Sequence, residues 1–250
     1  WALARDTAIA DENKLWSKAE MDIYINRVYR HIARETRCIR DSQTPSLCNI
    51  SVTPRNWAEL TEADGMDYIW ATTPADINNP DAGGKYWMYH KNVAPIVYNL
   101  DSRILDIDEV KWTNWQWRLT KVSYTKWSVN PWWEQIVGMP TEYATDYSVN
   151  TLTLNFRAEV EDTLRLIVRR LPLTDLIGDK DVPEFRVSYH DYFKFGVLEQ
   201  MYSKQDSQTF DAVKAVDFGQ RFLRDLDEIK QEESKLDNRL RPNYSMDGFR

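Results

Sequence analysis

The sequence has few of the residues on which metal centres, disulfide scaffolds and acid–base catalysis depend. It contains three histidines and two cysteines, Cys38 and Cys48, among 250 residues. None of these side chains stands at a metal-ligand spacing, and two cysteines are too few for the disulfide framework of a small secreted domain. We therefore expect no bound metal ion and no other cofactor. We expect both thiols to be reduced, with a bridge between them as the alternative.

Motifs of the common enzyme classes are also missing. The chain has no G-x-G-x-x-G, no P-loop and no G-x-S-x-G, and "AGGK" at 82–85 lacks the Ser or Thr that completes a phosphate loop. No apolar run reaches the roughly 20 residues that cross a bilayer, so we expect no membrane partner. The net charge of −7 provides no basic surface for wrapping nucleic acid. These absences favour a structural or binding protein over an enzyme.

Tryptophan, in contrast, is abundant, with eleven copies of which six lie between Trp112 and Trp133. Exposed rings stack on sugars or bases, whereas buried rings form a core or a subunit interface. In "WQWRLTK", Trp115 and Trp117 alternate with polar residues, so the spacing predicts a strand that points both rings into a core. Trp132 and Trp133 follow in a short helix or turn, and we consider them candidates for a subunit interface.

Helical patterns occupy both ends of the chain. Ser17 and Glu20 form a capping box before an apolar stripe, which predicts a helix at 18–37. Pro183 suits a first helical position and predicts a helix at 185–203.

A last helix is expected at 208–237. Its apolar stripe is expected to consist of Val213, Val216, Phe222, Leu223, Leu226 and Ile229. Beyond Ile229 the sequence is almost entirely polar, so we expect this end of the helix to project from its domain.

The middle of the chain has the alternation of β-strands. "SLCNISV", "TLTLNFR" and "LRLIV" predict strands, and the second places Thr151 and Thr153 on a solvated face. Residues 71–84 are rich in turn formers and predict a long loop. The fold class expected is α+β, a helical bundle formed by the N- and C-terminal helices with an inserted antiparallel β-sandwich or barrel-like domain. The expected divisions are a bundle from 1–40 and 173–238, a β-rich domain at 41–172 and an extended tail at 239–250.

Two sites have the residue types of acid–base chemistry. His190 precedes Asp191, but neighbouring residues of an α-helix point about 100° apart, so no dyad is expected. His190 would lie between Arg186 and Lys194 on a polar side, as a solvated or interface histidine.

The second site is "LDIDEV". There, Asp106 and Asp108 alternate with apolar residues, as on an ordinary strand with a solvated face. No second carboxylate cluster completes a glycosidase pair.

The order of several phrases resembles a known family. The capped "W-S-x-A-E-M" helix, the turn "GMPTEY", the strands "LTLNF" and "LRLIV", and a "VPE" phrase that opens a helix follow one another across about residues 14–230. Gly138, Pro140 and Tyr143 match the family's turn. The family's helix phrase is matched by Val182, Pro183, Glu184, Tyr189 and His190 at its start and by Tyr202 and Asp206 at its end. The layout resembles the head-to-tail adaptor (connector or neck) proteins of tailed bacteriophages, the tail tubular protein A-like group, although 54–100 is longer than in compact members.

The resemblance implies a virion protein without catalysis. Such proteins form a ring, usually of twelve copies, which joins the portal protein to the tail nozzle or tail tube protein at the head–tail junction. They are assembled in the host cytoplasm, with tail fibres as a further partner, and DNA passes through the ring without sequence-specific binding. The resemblance also implies that the C-terminal segment reaches into the portal. The candidate docking residues are Arg239, Arg241, Tyr244, Met246, Phe249 and Arg250, and the subunit-interface candidates are Trp132, Trp133 and His190.

The alternative hypothesis is a carbohydrate-binding or glycan-cleaving tail component. It would use the Trp112–Trp133 cluster together with Asp106 and Asp108. The burial of Trp115 and Trp117 discriminates between the two hypotheses, because rings that face a core cannot stack on a sugar.

Overall fold

The computed structural model describes residues 16–53, 95–178, 180–204 and 210–240, together with the backbone of three short strands at 58–59, 68–71 and 87–90. Side chains are described as far as residue 237. The chain is mixed α+β, as predicted. Its sheets are antiparallel and mixed, whereas only antiparallel pairing was expected, since β8 pairs with β10 and β9 with β12 in parallel.

Five α-helices and thirteen strands lie within the described residues. The helices are α1 (Lys18–Thr36), α2 (Pro45–Cys48), α3 (Thr125–Ser128), α4 (Phe193–Tyr202) and α5 (Ala212–Leu240). The strands are β1 (Arg40–Asp41), β2 (Asn49–Val52), β3 (Ala58–Glu59), β4 (Tyr68–Ala71), β5 (Trp87–His90), β6 (Val97–Asn99), β7 (Ile104–Trp112), β8 (Thr120–Lys121), β9 (Val137–Gly138), β10 (Glu142–Ala144), β11 (Thr151–Leu154), β12 (Arg157–Ala158) and β13 (Asp162–Arg170).

Contacts between residues divide the chain into two compact units. The helical unit comprises Trp1–Arg40 and Arg169–Arg250, and the β-rich unit comprises Asp41–Val168. The second boundary therefore falls after 168 rather than after the expected 172. The reason is that Arg169 and Arg170, at the end of β13, direct their side chains to Asp237 and Glu184 of the helical unit.

Helix α1 begins at the predicted capping box. The Ser17 hydroxyl accepts from the backbone N–H of Glu20 at 3.2 Å, and the Glu20 carboxylate accepts from the backbone N–H of Ser17 at 3.1 Å. Both donors would otherwise lack an intrahelical partner, so the pair fixes the first turn. Trp16, just before the cap, is buried and meets the Tyr202 ring edge-on at 5.7 Å. The helix predicted at 18–37 is confirmed.

The helix predicted at 185–203 has two parts. Val187–Tyr192 is a 3₁₀ helix, and the α-helical geometry of α4 starts only at Phe193. The chain before it is held in place because the backbone N–H of Glu184 donates to the Tyr29 hydroxyl at 2.6 Å and Phe185 is buried. These contacts prevent Pro183 from opening an α-helix directly.

Helix α5 starts later and ends later than predicted, since Leu240 lies inside the segment expected to be an extended tail. The expected apolar stripe is wrong in part. Phe222, Leu226 and Ile229 are buried, whereas Val213, Val216 and Leu223 are 81%, 61% and 60% exposed. Only the side of α5 that meets α1 and α4 is covered. The three exposed residues form an apolar row beside that side.

The polar end of α5 was expected to project from its unit. Up to residue 237, the last described side chain, it is instead held against the unit. Arg169 is only 5% exposed and forms ion pairs with Glu233, at 3.6 Å, and with Asp237. The Tyr189 hydroxyl donates to Glu233 at 3.1 Å. The expectation failed because a polar helix face can be held by a buried charge as well as by apolar burial.

The β-rich unit is built from short sheets. One has the order β1-β13-β2 with β7 also paired to β13, a second has β6-β11-β10-β8, a third β12-β9, and a fourth β3-β5-β4. Leu164, Leu166 and Val168 in β13 are fully buried, as predicted. Residues 72–84, most of the predicted loop, lie outside the described residues.

Two strand predictions are corrected. In β11 both faces are buried, since Thr151 and Thr153 are 7% and 0% exposed and Leu152 and Leu154 are fully buried. The strand is also paired along both edges, with β6 and with β10. In "SLCNISV" the first half is the short helix α2, which Pro45 opens, and only the second half forms β2.

Gly196 of α4 lies where α1 and α5 both approach it closely. A Cβ on Gly196 would lie 2.8 Å from Val28 Cγ1 and 2.9 Å from Phe222 Cε2. We predict that Gly196→Ala lowers the free energy of unfolding by about 1–2 kcal/mol, because crowding outweighs the helix-propensity gain. Urea unfolding followed by circular dichroism measures this change.

The matched control is Gly219→Ala in α5. There the nearest neighbour of an added Cβ is the flexible Glu199 side chain at 3.4 Å. This variant should be more stable by about 0.5 kcal/mol. Equal stabilisation by both substitutions would contradict the close approach.

Candidate functional site

The carboxylates of the predicted strand are engaged in ion pairs. Asp106 in β7 receives Lys121 Nζ at 3.0 Å, and Glu109 receives Arg118 Nε at 3.1 Å. Ile107 and Val110 of the same strand are buried. The prediction of a strand for "LDIDEV" is confirmed, but its carboxylates are half-buried rather than on a solvated face. The ion pairs leave Asp106 and Glu109 poorly suited to act as a catalytic acid and base.

His190 is held by its own turn. It lies in the 3₁₀ helix, half-buried, with Nε2 3.2 Å from the carbonyl oxygen of Phe185. Because a carbonyl only accepts, this geometry places the proton on Nε2. Asp191 is exposed, and no hydrogen bond joins it to His190 among the described residues. His190 instead lines an apolar cavity of about 360 Å³ between α1 and α4.

Glu184, in the "VPE" phrase, connects several parts of the helical unit. Its carboxylate accepts from the backbone N–H of Leu173 at 2.7 Å and pairs with Arg170 at 2.6 Å. The Arg170 side chain is only 7% exposed. Tyr29 accepts from the Glu184 backbone, and burial raises the pKa of its hydroxyl to about 12. Glu184 therefore has a structural role.

The "GMPTEY" turn has a similar role in the β-rich unit. The Pro140 carbonyl accepts from Trp112 Nε1 at 3.0 Å, and both Trp112 and Tyr143 are buried. Asn155 accepts from the backbone N–H groups of Thr141 and Glu142 at 3.1 and 3.2 Å. The turn is thereby fixed to the strands on either side of it.

The tryptophans of the 112–133 segment have different environments. Trp127 and Trp133 are buried with ring centroids 5.4 Å apart, and Trp127 Nε1 donates to Glu142 at 2.8 Å. Hydrogen bonds from Lys126 and Trp127 lower the pKa of Glu142. Trp133 is therefore wrong as a subunit-interface candidate, because it is part of a local core. Trp132 is 65% exposed and remains available for an interface.

Trp115 and Trp117 do not face a core, which contradicts the sequence-based prediction. They are 47% and 57% exposed, with ring centroids 5.9 Å apart and ring planes at 43°. A tight turn breaks the alternation, since Gln116 has φ 57° and the backbone N–H of Trp112 donates to Trp117 O at 2.9 Å. Asn114, a turn former, was the available sequence signal.

The helical unit has a surface of positive charge that sequence reasoning missed. Arg27, Arg30, His31 and Arg34 are all exposed along α1. Arg30 pairs with Asp175 at 2.6 Å, and Arg27 donates to Gln200 at 3.1 Å. We call Arg27, His31 and Arg34 the basic surface. Arg27 and His31 also line a groove of about 320 Å³ between α1 and α5.

A surface of negative charge lies on α5. It consists of Asp225, Glu228 and Glu232, which we call the acidic surface. Burial, and then the charge of Glu228, raise the pKa of Asp225. Burial, and then Glu228, likewise raise the pKa of Tyr192 in the adjoining 3₁₀ helix. The charge of Glu228 thus adds to the effect of burial on Asp225.

The side chains of the candidate docking residues lie outside the described part of the chain. Arg239 lies in the last turn of α5, but its side chain is outside the described residues, as are Arg241, Tyr244, Met246, Phe249 and Arg250. In the described part of the chain, no three His, Cys, Asp or Glu side chains are placed to hold a metal ion. The described helices include none that is both long enough and apolar enough to cross a membrane.

Comparison with known proteins adds no assignment. A search of protein-family models found no match to the chain, and a search of curated proteins found no similar sequence.

Glu184 provides a test of the structural role of the "VPE" phrase. We predict that Glu184→Gln lowers the free energy of unfolding by about 2 kcal/mol, because the buried Arg170 loses its counter-charge. Asp175→Asn is the matched control. It removes a carboxylate from an ion pair with Arg30 in which the two side chains are 42% and 53% exposed. That change should cost about 0.5 kcal/mol or less. Equal losses in urea unfolding would contradict the structural role of Glu184.

Proposed function

We propose that this chain is a structural virion protein, a head-to-tail adaptor of a tailed bacteriophage. In this proposal about twelve copies form a ring that joins the portal to the tail nozzle or tail tube and encloses the DNA channel. The observation that carries it is that the phrases on which the resemblance to the adaptor family rests provide contacts to buried side chains in both units. Glu184 binds Arg170, Tyr189 binds Glu233, and Pro140 binds Trp112. Contacts of this kind determine how a chain folds, so they support a likeness in fold.

The division of the chain supports the finer architecture that we propose. The helical unit is made of two separate stretches, and the β-rich unit lies between them in sequence. We propose a helical bundle with an inserted antiparallel β-sandwich. Helices α1, α4 and α5 share one apolar core around Ile32, Met201 and Ile229, which supports the bundle.

Exposed apolar residues support assembly into a ring. A ring subunit needs two different faces, each covered by a neighbour. The apolar row of α5 and Trp132 in the β-rich unit are largely exposed in the single chain. Clusters of exposed apolar side chains are typical of interaction sites in soluble proteins.

The charge of the chain supports the passage of DNA. Each copy has a net charge of −7. A ring of acidic subunits repels phosphate groups, so DNA can slide through without being bound. We propose that residues 239–250 dock the ring to the portal, with their arginines paired to portal carboxylates and Tyr244 and Phe249 in apolar pockets.

Electron microscopy of the purified chain, alone and mixed with the portal ring of the same virus, tests this proposal. We expect closed rings, and we expect them to stack coaxially on the portal ring. A chain that stays monomeric at all concentrations and does not bind the portal would contradict the adaptor function.

Deletion of residues 242–250 separates ring formation from portal binding. The truncated chain should form rings as the full chain does but should not bind the portal, because the joint depends on many weak tail contacts acting together. Unchanged portal binding by the truncated chain would exclude the tail as the docking element.

A second candidate function, carbohydrate binding, is favoured by one observation. Trp115 and Trp117 form an exposed pair on a hairpin, and such rings can stack on sugars. Cleavage of a glycan is less well supported, because Asp106 and Glu109 are engaged by Lys121 and Arg118.

Titration of the chain with peptidoglycan fragments and with lipopolysaccharide, followed by tryptophan fluorescence, tests this candidate. If it is correct, a Trp115→Ala/Trp117→Ala variant should lose at least about tenfold in affinity, while the control Trp132→Ala should bind normally. No saturable binding by the wild-type chain would exclude this function for these two ligand classes.

A further inference from the structure

The helical unit has two surfaces of opposite charge whose side chains form few ion pairs with the other described residues. Among the described side chains, Arg34 of the basic surface forms no ion pair, and the hydrogen-bond partner of Arg27 is the neutral Gln200. In the same part of the chain, none of the acidic-surface residues Asp225, Glu228 and Glu232 forms an ion pair. Among the described residues, these side chains therefore lack the direct ion pairs that would neutralise them.

In the acidic surface, one carboxylate oxygen is buried without a partner. Asp225 Oδ2 is buried and has no hydrogen-bond partner among the described residues. Lys194 and Arg224 lower the pKa of Asp225 through their charges, but burial and Glu228 outweigh them. A partly buried carboxylate without a direct partner is stabilised by any cation that is brought against it.

The basic surface adjoins apolar side chains. Leu223, which lines the groove between α1 and α5, is 60% exposed, and Ile23 on α1 is 56% exposed. Val187, in the 3₁₀ helix that adjoins the acidic surface, is 78% exposed. Each charged surface therefore has an exposed apolar residue on a neighbouring position, as protein interfaces do.

The two surfaces cannot neutralise each other within one molecule. Leu223 and Asp225 are two residues apart on α5 and so point about 200° apart around the helix axis. The flank with Leu223 faces the groove beside α1, whereas the flank with Asp225 adjoins Tyr192. Identical molecules that associate head to tail, however, bring one surface of each copy against the other surface of the next.

We propose that the basic surface of one copy docks on the acidic surface of the next copy, and that this contact joins the helical units around the assembly. The proposal rests on the ring of the proposed function and identifies one of its joints. Complementary charge is the argument for a second copy as the occupant. A basic surface of three residues on a chain of net charge −7 is too small to hold nucleic acid by phosphate contacts alone.

Charge reversal on each surface tests the proposal. One variant is Arg27→Glu/Arg34→Glu, and the other is Glu228→Arg/Glu232→Arg. Each alone places like charges in every joint, so its association, measured by analytical ultracentrifugation, should weaken at least about 100-fold. An equimolar mixture of the two variants should form rings again, because each reversed surface then meets its complement. The variant with all four substitutions should also form rings.

The matched controls reverse exposed charges elsewhere. Lys180→Glu in the helical unit and Glu159→Arg in the β-rich unit should leave association unchanged, and thermal melting checks that every variant is folded. If the wild-type chain forms rings and both reversed variants still form them, this inference is contradicted while the adaptor proposal stands. The same holds if the two variants fail to form rings and mixing them does not restore the rings. A wild-type chain that never associates would contradict both.

Discussion

Two consecutive buried arginines organise the helical unit. Arg169 donates to the carbonyl of Arg37 just after α1 at 3.0 Å and pairs with Glu233 and Asp237 of α5. Arg170 turns to Glu184, which in turn binds Tyr29 of α1. Because a buried guanidinium must keep its partners, the end of β13 fixes where α1, α5 and the segment before α4 lie. The apolar core then packs between helices whose ends are already fixed by these ion pairs and hydrogen bonds.

The sequence predicted the local contacts of the helical unit but not those between residues distant in the chain. The capping box depends on Ser17 and Glu20 alone, so its pattern sufficed. The partners of Arg169 are more than sixty positions away in the chain, and nothing in a run of polar residues shows that one buried charge will hold them. The apolar row of α5 shows the reverse error. Its composition is that of a core, but packing in a single chain leaves it uncovered.

The candidate surfaces were less predictable than the elements that carry them. Arg27, His31 and Arg34 have the spacing of any solvated helix face, and Asp225, Glu228 and Glu232 have it too. Their significance depends on which flank of α5 meets α1, and this is decided by packing. Trp115 and Trp117 were also mispredicted. The turn at Gln116, a residue with positive φ, places both rings at the surface instead of in the predicted core. The missing catalytic motifs, in contrast, depended only on residue types and spacing.

The separation of the helical unit into two stretches of chain has a consequence for synthesis. Helix α1 leaves the ribosome before Asp41–Val168, and its partners α4 and α5 follow only after that whole unit. During this interval Tyr29 and Ile32, which are fully buried in the folded chain, have no partners to cover them. Contacts of such high sequence separation slow folding and favour premature association of nascent chains. The β-rich unit, which is continuous in sequence, can fold without waiting for the C-terminal helices.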